Sequence, residues 1–206
     1  MNRSVGAVYF GYQINKTKAD GTMTHQTIEL SGHRKRPVDG VSFRKPKKSD
    51  GADVWRLIAG TCKLDENSMY CNLLQCDHFA DTCIIAELNG EIVGWISGYI
   101  QPDASKTFFV WQVAVSEKAR GRGIAKRMLA ELMRRKECAE IERVQTTITK
   151  DNDASWALFR SFAKQSGAEL QDRPYFREDE HFDGEHDTEH MVTITFEDSV
   201  RIAFAA

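Results

Sequence analysis

The stretch Phe108 to Leu132, FFVWQVAVSEKARGRGIAKRMLAEL, decides the fold. It opens on a bulky apolar run, Phe108, Phe109, Val110, Trp111, Val113 and Val115, and that run stops at the polar turn Ser116-Glu117-Lys118. Aromatic and β-branched residues bounded by a polar turn read as a buried strand. Further on, Ile124, Met128, Leu129, Leu132 and Met133 make one apolar stripe opposite Lys126, Arg127, Glu131, Arg134 and Arg135, the pattern of an amphipathic helix. Between strand and helix lies Arg120-Gly121-Arg122-Gly123-Ile124-Ala125.

Two glycines at a helix entrance let the backbone turn tightly and leave the first N–H groups of the helix uncovered. The helix dipole adds roughly half a positive charge there, and Arg120 and Arg122 add full ones, so a diphosphate suits the place. Taken alone, the same residues also read as a solvated basic loop around a glycine turn. The flanking strand and helix favour the anion site. This R-x-x-G-x-A segment between a core strand and an amphipathic helix resembles the acetyl-CoA loop of the GNAT N-acetyltransferases. Other nucleotide loops are excluded: the chain has neither G-x-x-x-x-G-K-[ST] nor G-x-G-x-x-G.

A chain of 206 residues with 41% hydrophobic side chains is long enough for one domain with a core and a tail. Its 28 basic and 30 acidic side chains nearly cancel, which gives no footing for nucleic-acid binding. No apolar run reaches the ~20 residues of a membrane helix, so a soluble protein is expected. The five cysteines, Cys62, Cys71, Cys76, Cys83 and Cys138, are odd in number, lack C-x-x-C spacing and follow no secretory signal. Reduced thiols in a cytoplasm follow.

Working outward from the central stretch, residues 1–40 show no sustained period and end in the basic run His33-Arg34-Lys35-Arg36-Pro37, which predicts a flexible extension. Val41 to Arg44 starts a strand, and Ser49 or Asp50 is placed to cap a helix carrying Val54, Trp55, Leu57 and Ile58. Ser68 is placed to cap a second helix through Leu73 and Leu74. Thr82–Leu88 and Glu91–Gln101 flank Asn89-Gly90, a strong hairpin signal, and Gly94 and Gly98 mark a bulge or a close backbone approach. A turn over Pro102 to Lys106 leads into the central strand. After the central helix come a strand over Ile141–Lys150, a helix opened by Asp151-Asn152-Asp153 and closed by Gly167, and a strand or arm over Glu169–Phe176. An acidic loop, Arg177 to His190, then precedes a strand over Met191–Phe196.

This βααβββαβαββ order matches the GNAT fold, an α/β architecture with a mixed twisted sheet splayed at the central strand and helices on both faces. The domain is expected over 41–196, with a C-terminal tail over 197–206. In that family the splayed strand offers backbone groups to pantetheine. The resemblance therefore implies that Val113 and Val115 hold that arm, that Arg120, Gly121, Arg122, Gly123, Ile124 and Ala125 hold the diphosphate, and that Asn152 and Ser155 touch CoA. Asn152 also reads as a plain helix cap, and the two roles are compatible. One departure stands out. Many GNAT enzymes carry N-x-x-A/S-x-x-L-Y, whose tyrosine protonates the departing thiolate, but Asn152 to Leu158 is followed here by Phe159. Another residue supplies that acid, or the substrate's own ammonium does.

The acceptor side needs a base, because an alkyl ammonium with a pKa near ~10.4 must lose a proton before attacking a thioester. The loop Glu185-His186-Asp187-Thr188-Glu189-His190 offers candidates, and a histidine needs the least tuning. Asp179, Glu180, His181 and Asp183 extend that cluster, which reads alternatively as a metal cluster or as a solvated acidic surface. Its spacing fits no zinc or EF-hand motif, so no metal is expected.

A closer resemblance covers essentially the whole domain. DENSMYCNLL, FVWQVAVSEKARGRGIAKRML, TKDNDASWALF, RPYF and HDTEH together resemble the diaminobutyrate acetyltransferases of the ectoine pathway. This implies direct transfer from acetyl-CoA to the 4-amino group of L-2,4-diaminobutyrate by a homodimer in the osmotic-stress route to a compatible solute. It also implies substrate contacts from Asp65, Tyr70, Trp111 and Glu189. On the pKa argument His186 is expected as the base or, with the roles exchanged, Glu189. Without the family, Asp65 reads as a turn residue, Tyr70 as a helix-face aromatic and Trp111 as core. Two other functions compete: acetylation of another cationic amine, and a GNAT-like module that binds acyl-CoA without turnover, for which Phe159 is the best argument.

Overall fold

Seven strands form one mixed sheet in the order β1-β2-β3-β4-β5-β7-β6 in the computed structural model, which describes residues 40–61 and 67–197. The extension expected over 1–40 lies outside the described residues except for Gly40, as does the tail from 198 on. Cys62 and Asp65 also lie outside them. The strands are β1 (Val41–Arg44), β2 (Ile84–Leu88), β3 (Glu91–Gln101), β4 (Ala104–Val115), β5 (Arg143–Thr149), β6 (Glu169–Phe176) and β7 (Glu189–Thr195). The helices are α1 (Gly51–Ala59), α2 (Met69–Asp77), α3 (Ile124–Met133), α4 (Asp153–Ser166) and the single-turn α5 (Glu178–His181).

The β2–β3–β4 meander forms where turn chemistry requires it. Asn89 and Gly90 both take positive φ, 53° and 82°, as a two-residue hairpin loop demands. Both strand glycines mark irregularities. The register steps from Ala86↔Gly94 to Glu87↔Ile92, so Val93 is an extra residue in β3. It steps again from Ser97↔Gln112 to Gly98↔Val110, so Trp111 is an extra residue in β4. Gly98 is also a close approach, since a Cβ there would lie 2.5 Å from Phe108 Cε1.

Two cores cover the two faces of the sheet. On one face the stripe Ile124, Met128, Leu129, Leu132 and Met133 of α3 packs with Trp156, Phe159 and Phe162 of α4 against Val110, Val144, Ile148, Val192 and Ile194. Burying each large apolar side chain contributes about 1.5–3 kcal/mol, so this stripe anchors α3. On the other face Val54 and Ile58 of α1 and Cys76 of α2 pack against Ile85, Trp95 and Ala114. The helix stops follow the sequence: Ser68 Oγ accepts from Cys71 N at the start of α2, and Gly167 ends α4 at φ 62°.

Ser49 and Asp50 do not cap α1 with their side chains as expected. The Asp50 carboxylate is drawn away to the Arg44 guanidinium, at 2.7 and 3.0 Å, and to Lys47 N at 2.6 Å. Arg44 also donates to Glu87, so the ion pair ties the start of α1 to β1 and β2. Burial pushes the Asp50 carboxyl up, but the Arg44 and Lys47 donors override it and hold it below the usual aspartate range. Stability from such a group is present above its unfolded value of about 3.9 and is lost as pH falls through the lower folded value. Asp50→Asn is therefore expected to cost about 2–3 kcal/mol at neutral pH. In thermal unfolding the gap to the parent should close towards pH 3; a gap that stays constant would show that the carboxylate charge is not responsible.

Most boundaries fall within two residues of expectation, and two segments differ more. β4 starts at Ala104, which shortens the expected turn to Pro102-Asp103. The acidic segment is not one loop before the last strand: it contains α5, and Glu189 and His190 already belong to β7.

Candidate active site

The sheet opens at its centre. Among the described residues, β4 and β5 pair only over Thr107–Phe109 against Arg143–Gln145, and beyond these the two parallel strands diverge. The reason lies in β4 itself, where the extra residue Trp111 bends and twists the strand just past its last pairing. Val113 and Val115 lie on the diverging half and remain paired to β3 through Ile96 and Gly94.

The glycine loop closes one end of this cleft. Gly121 and Gly123 take φ 74° and 67°, a left-handed conformation that glycine adopts without a Cβ penalty. Gly123 is the N-cap of α3 with no side-chain cap, and the first turn of α3 carries no acidic residue. Arg120 and Arg122 are exposed beside it, Ile124 is buried under the loop and Ala125 is half-buried. Arg120 is steered back by Glu117 at 3.2 Å and by the Val115 carbonyl at 3.4 Å. The result is a set of helix-end N–H groups with two guanidiniums alongside, suited to an anion.

Asn152 stands at the end of β5 and does cap a helix: its Oδ1 accepts from Ser155 N at 3.1 Å. The cap uses only the carbonyl oxygen, so the two amide protons of Asn152 are not needed for it. Trp156 Nε1 donates to the Thr149 carbonyl at 3.0 Å and pins the start of α4 to the strand. Phe159 is 2% exposed within the α3–α4 core.

Two of the residues expected at the acceptor, Trp111 and Glu189, leave the sheet on its α1–α2 side. Val110 faces the α3–α4 core and Ala114 the α1–α2 core, and with Trp111 as the extra residue the strand alternation sends both Trp111 and Gln112 to the α1–α2 side. Across the cleft, Val192 and Ile194 face α3 and α4, so Glu189 leaves β7 on the same side as Trp111. Trp111 is 50% exposed, so it is not the core residue its composition allows. Tyr70, in the first turn of α2, is 68% exposed, and Asp65 lies outside the described residues.

His186 Nε2 lies 3.9 Å from Glu189 Oε1, so the structure brings together the two residues proposed for the acceptor side. Its Nδ1 is 2.8 Å from the Asp187 carbonyl oxygen. A carbonyl only accepts, so Nδ1 carries a proton, and in the neutral ring Nε2 is left as the acceptor beside the carboxylate. With Thr149, Asp151, Gly184, Glu185 and Asp187, His186 lines a shallow open recess.

The rest of the acidic segment divides. Asp179, Glu180, His181, Asp183, Glu185 and Asp187 are exposed, whereas His190 is buried with Nδ1 3.1 Å from Asp172 Oδ2. Among the described residues no three His, Cys, Asp or Glu side chains converge as a metal site would require. The buried thiols are no nucleophiles either: burial pushes Cys76 and Cys83 up to about 12 and Cys138 up to about 11.

Two contacts went unforeseen. Gln112 accepts from Asn67 Nδ2 at 3.4 Å, which ties the segment leading into α2 to the bulge beside Trp111; a glutamine inside an apolar strand was the available signal. The Phe182 ring packs on His186 with centroids 4.7 Å apart, and an aromatic amid acidic residues was the signal there.

A diverging central strand followed by a left-handed glycine N-cap defines a class, and the comparisons agree with it. The acetyltransferase (GNAT) family model matches residues 53–163. The chain belongs to this family. Within it, the chain is 49% identical over 152 residues to the L-2,4-diaminobutyric acid acetyltransferase of Vibrio parahaemolyticus, covering 74% of this chain and 84% of that one. It is 46% identical over 164 residues to the Halomonas elongata enzyme of the same name, covering 79% and 83%. Among solved structures, diaminobutyrate acetyltransferase EctA from Paenibacillus lautus, in complex with its substrate L-2,4-diaminobutyric acid and coenzyme A, superposes with a TM-score of 0.73 at 41% identity, over 77% of this chain and 97% of that one.

Proposed function

We propose that this protein transfers the acetyl group of acetyl-CoA to the 4-amino group of L-2,4-diaminobutyrate, giving N4-acetyl-L-2,4-diaminobutyrate for ectoine biosynthesis. The observation that carries this reading is the His186–Glu189 pair on the Trp111 side of the cleft, in a chain 41% identical to a protein that binds both diaminobutyrate and CoA. Incubation with acetyl-CoA and diaminobutyrate, with the acetylated nitrogen identified by NMR, tests it. Acetylation at the 2-amino group, or CoA binding without turnover on any amine, would overturn it.

The acetyl-CoA diphosphate is assigned to the N–H groups of Gly123, Ile124 and Ala125 with Arg120, Gly121 and Arg122, and the pantetheine arm to Val113 and Val115. Asn152 and Ser155 face it from the start of α4. An ammonium nitrogen about 2.9 Å from each acceptor fits between His186 Nε2 and Glu189 Oε1. His186 takes one proton, and the carboxylate of Glu189 offsets the imidazolium charge. The freed amine attacks the thioester carbonyl carbon, the C–N bond forms and the C–S bond breaks. The attacking nitrogen then gives up its extra proton and the thiolate receives one, which removes the need for a tyrosine where Phe159 stands. His186 returns its proton to water. Asp65 and Tyr70 complete the acceptor pocket with Trp111.

Glu189→Gln keeps the shape and removes the charge. Its main expected effect is a KM for diaminobutyrate raised by the equivalent of roughly 1–3 kcal/mol, with kcat little changed, in steady-state assays. A collapsed kcat with unaltered KM would instead make Glu189 the base.

The domain is assigned to residues 41–196, and the protein is expected to work as a cytoplasmic homodimer without nucleic-acid or membrane partners. The sequence of residues 1–40 offers no face to bury, so their removal should leave kcat and KM within about twofold. A larger loss in the truncated enzyme would assign the segment to the site.

A further inference from the structure

We propose that Phe182 is the positioning residue of the base: a tight turn folds its ring against the His186 imidazole and fixes the direction of Nε2. The inference rests on the reading of His186 as the base. The turn is closed by Glu185 N donating to the Phe182 carbonyl at 2.8 Å. Both central residues are left-handed, Asp183 at φ 51° and Gly184 at φ 79°, which is the type I′ form. A left-handed aspartate costs more than a glycine, and such conformations persist where the surroundings enforce them, most often beside functional groups.

This turn reverses the chain so that residues 182 and 186 face each other, with ring centroids 4.7 Å apart and planes 39° off parallel. The Phe182 ring has its own support, since Phe176 at the end of β6 meets it edge-on at 6.3 Å, and Tyr175 packs on Phe176 at 4.6 Å. The surrounding segment is closed by Gly184 N to the Glu178 carbonyl at 3.0 Å and by Glu178 N to Thr188 Oγ1 at 3.1 Å. A platform thus runs from the sheet edge to the imidazole.

The chemistry explains the need. The final torsion of a histidine side chain is broad, so a hydrogen bond from Nδ1 to one carbonyl leaves the ring free to tilt. His186 is 38% exposed, and water offers no resistance to that tilt. A ring packed against it removes the freedom and holds Nε2 beside Glu189. Misplacing a catalytic group by about 1 Å costs up to about 10²-fold in rate.

The experiment uses the full chain and measures kcat and both KM values for Phe182→Leu, Phe182→Tyr, His186→Ala and the Phe182→Leu/His186→Ala double variant, with thermal unfolding as a control on the fold. Phe182→Leu should lower kcat about tenfold or more with the KM for acetyl-CoA unchanged, and Phe182→Tyr, which restores a ring, should recover it to within about twofold. In the His186→Ala background Phe182→Leu should cost nothing further, because there is no base left to position. Gly184→Asn, which tolerates positive φ, should stay close to the parent, while Gly184→Val should reproduce the Phe182→Leu loss. Phe182→Leu with parental kcat beside a crippled His186→Ala would overturn the positioning role alone, as would equal losses in both backgrounds. A silent His186→Ala would overturn the base assignment and the proposal with it.

Discussion

The expected result of His186→Ala is a kcat lowered by about 10² to 10⁴, with acetyl-CoA affinity unchanged, which is the range for losing a positioned base. The residue stands 3.9 Å from Glu189 in the pair assigned above to the acceptor and is not part of the loop assigned to the diphosphate, so the loss should fall on chemistry and not on CoA. Part of the rate should return at high pH. The amine has a reference pKa near ~10.4, so raising the pH supplies the free base that the enzyme no longer makes. Steady-state kinetics across pH and calorimetry with CoA separate these effects. A nearly silent His186→Ala beside a Glu189→Gln that collapses kcat would exchange the two roles. If both were silent, the segment 177–190 would be solvated surface and the acceptor pocket would lie elsewhere.

The second large effect is expected at Gly123. Gly123→Glu should abolish measurable acetyl-CoA binding while the fold survives, because a Cβ at this position meets nothing within 4 Å and the substitution clashes with no core atom. Each unit charge of the diphosphate at roughly 4 Å repels the new carboxylate by about 1–4 kcal/mol, between water and a surface-like dielectric. Two such charges make the loss about thirtyfold at the lower bound and far more towards the upper one. Gly123→Gln is the control for backbone strain. It shares the φ of 67°, whose cost for a side-chain-bearing residue is about 1–2 kcal/mol, but adds no charge. Calorimetry should show a far weaker Kd for the glutamate variant than for the glutamine variant, with matching circular dichroism. Unchanged CoA affinity in Gly123→Glu would remove the loop from the cofactor site.

The order of elements was legible in the sequence because its causes are local. The apolar stripe of α3 is a period of 3.6, the hairpin at Asn89-Gly90 is a turn preference, and Ser68, Asn152 and Gly167 act on helix ends within a few residues of themselves. The glycine loop belongs to the same class, since Gly121, Gly123 and α3 are contiguous. Contacts between distant segments were not legible. Asp50 looked like a helix cap, but its carboxylate is taken by Arg44 at the end of β1, whose guanidinium is itself held by Glu87 on β2, 43 residues further along the chain. Trp111 sits in an apolar run and reads as core, yet the bulge opposite Ser97 and Gly98 gives β4 one extra residue and half-exposes the ring on the α1–α2 side. Glu189 and His190 are neighbours of the same polar character in sequence, and pairing with β5 splits them. One turns to the cleft beside His186 and the other into the protein against Asp172. Which face a residue takes depends on strand register, and register is set by partners on another strand, Ser97 and Gly98 for Trp111 and Thr149 for Glu189. Local periodicity and turn chemistry therefore determined the elements and the glycine loop, and the motif of that loop carried the resemblance to the acetyltransferases, while long-range pairing decided where the sheet opens and which of its acidic residues face the opening.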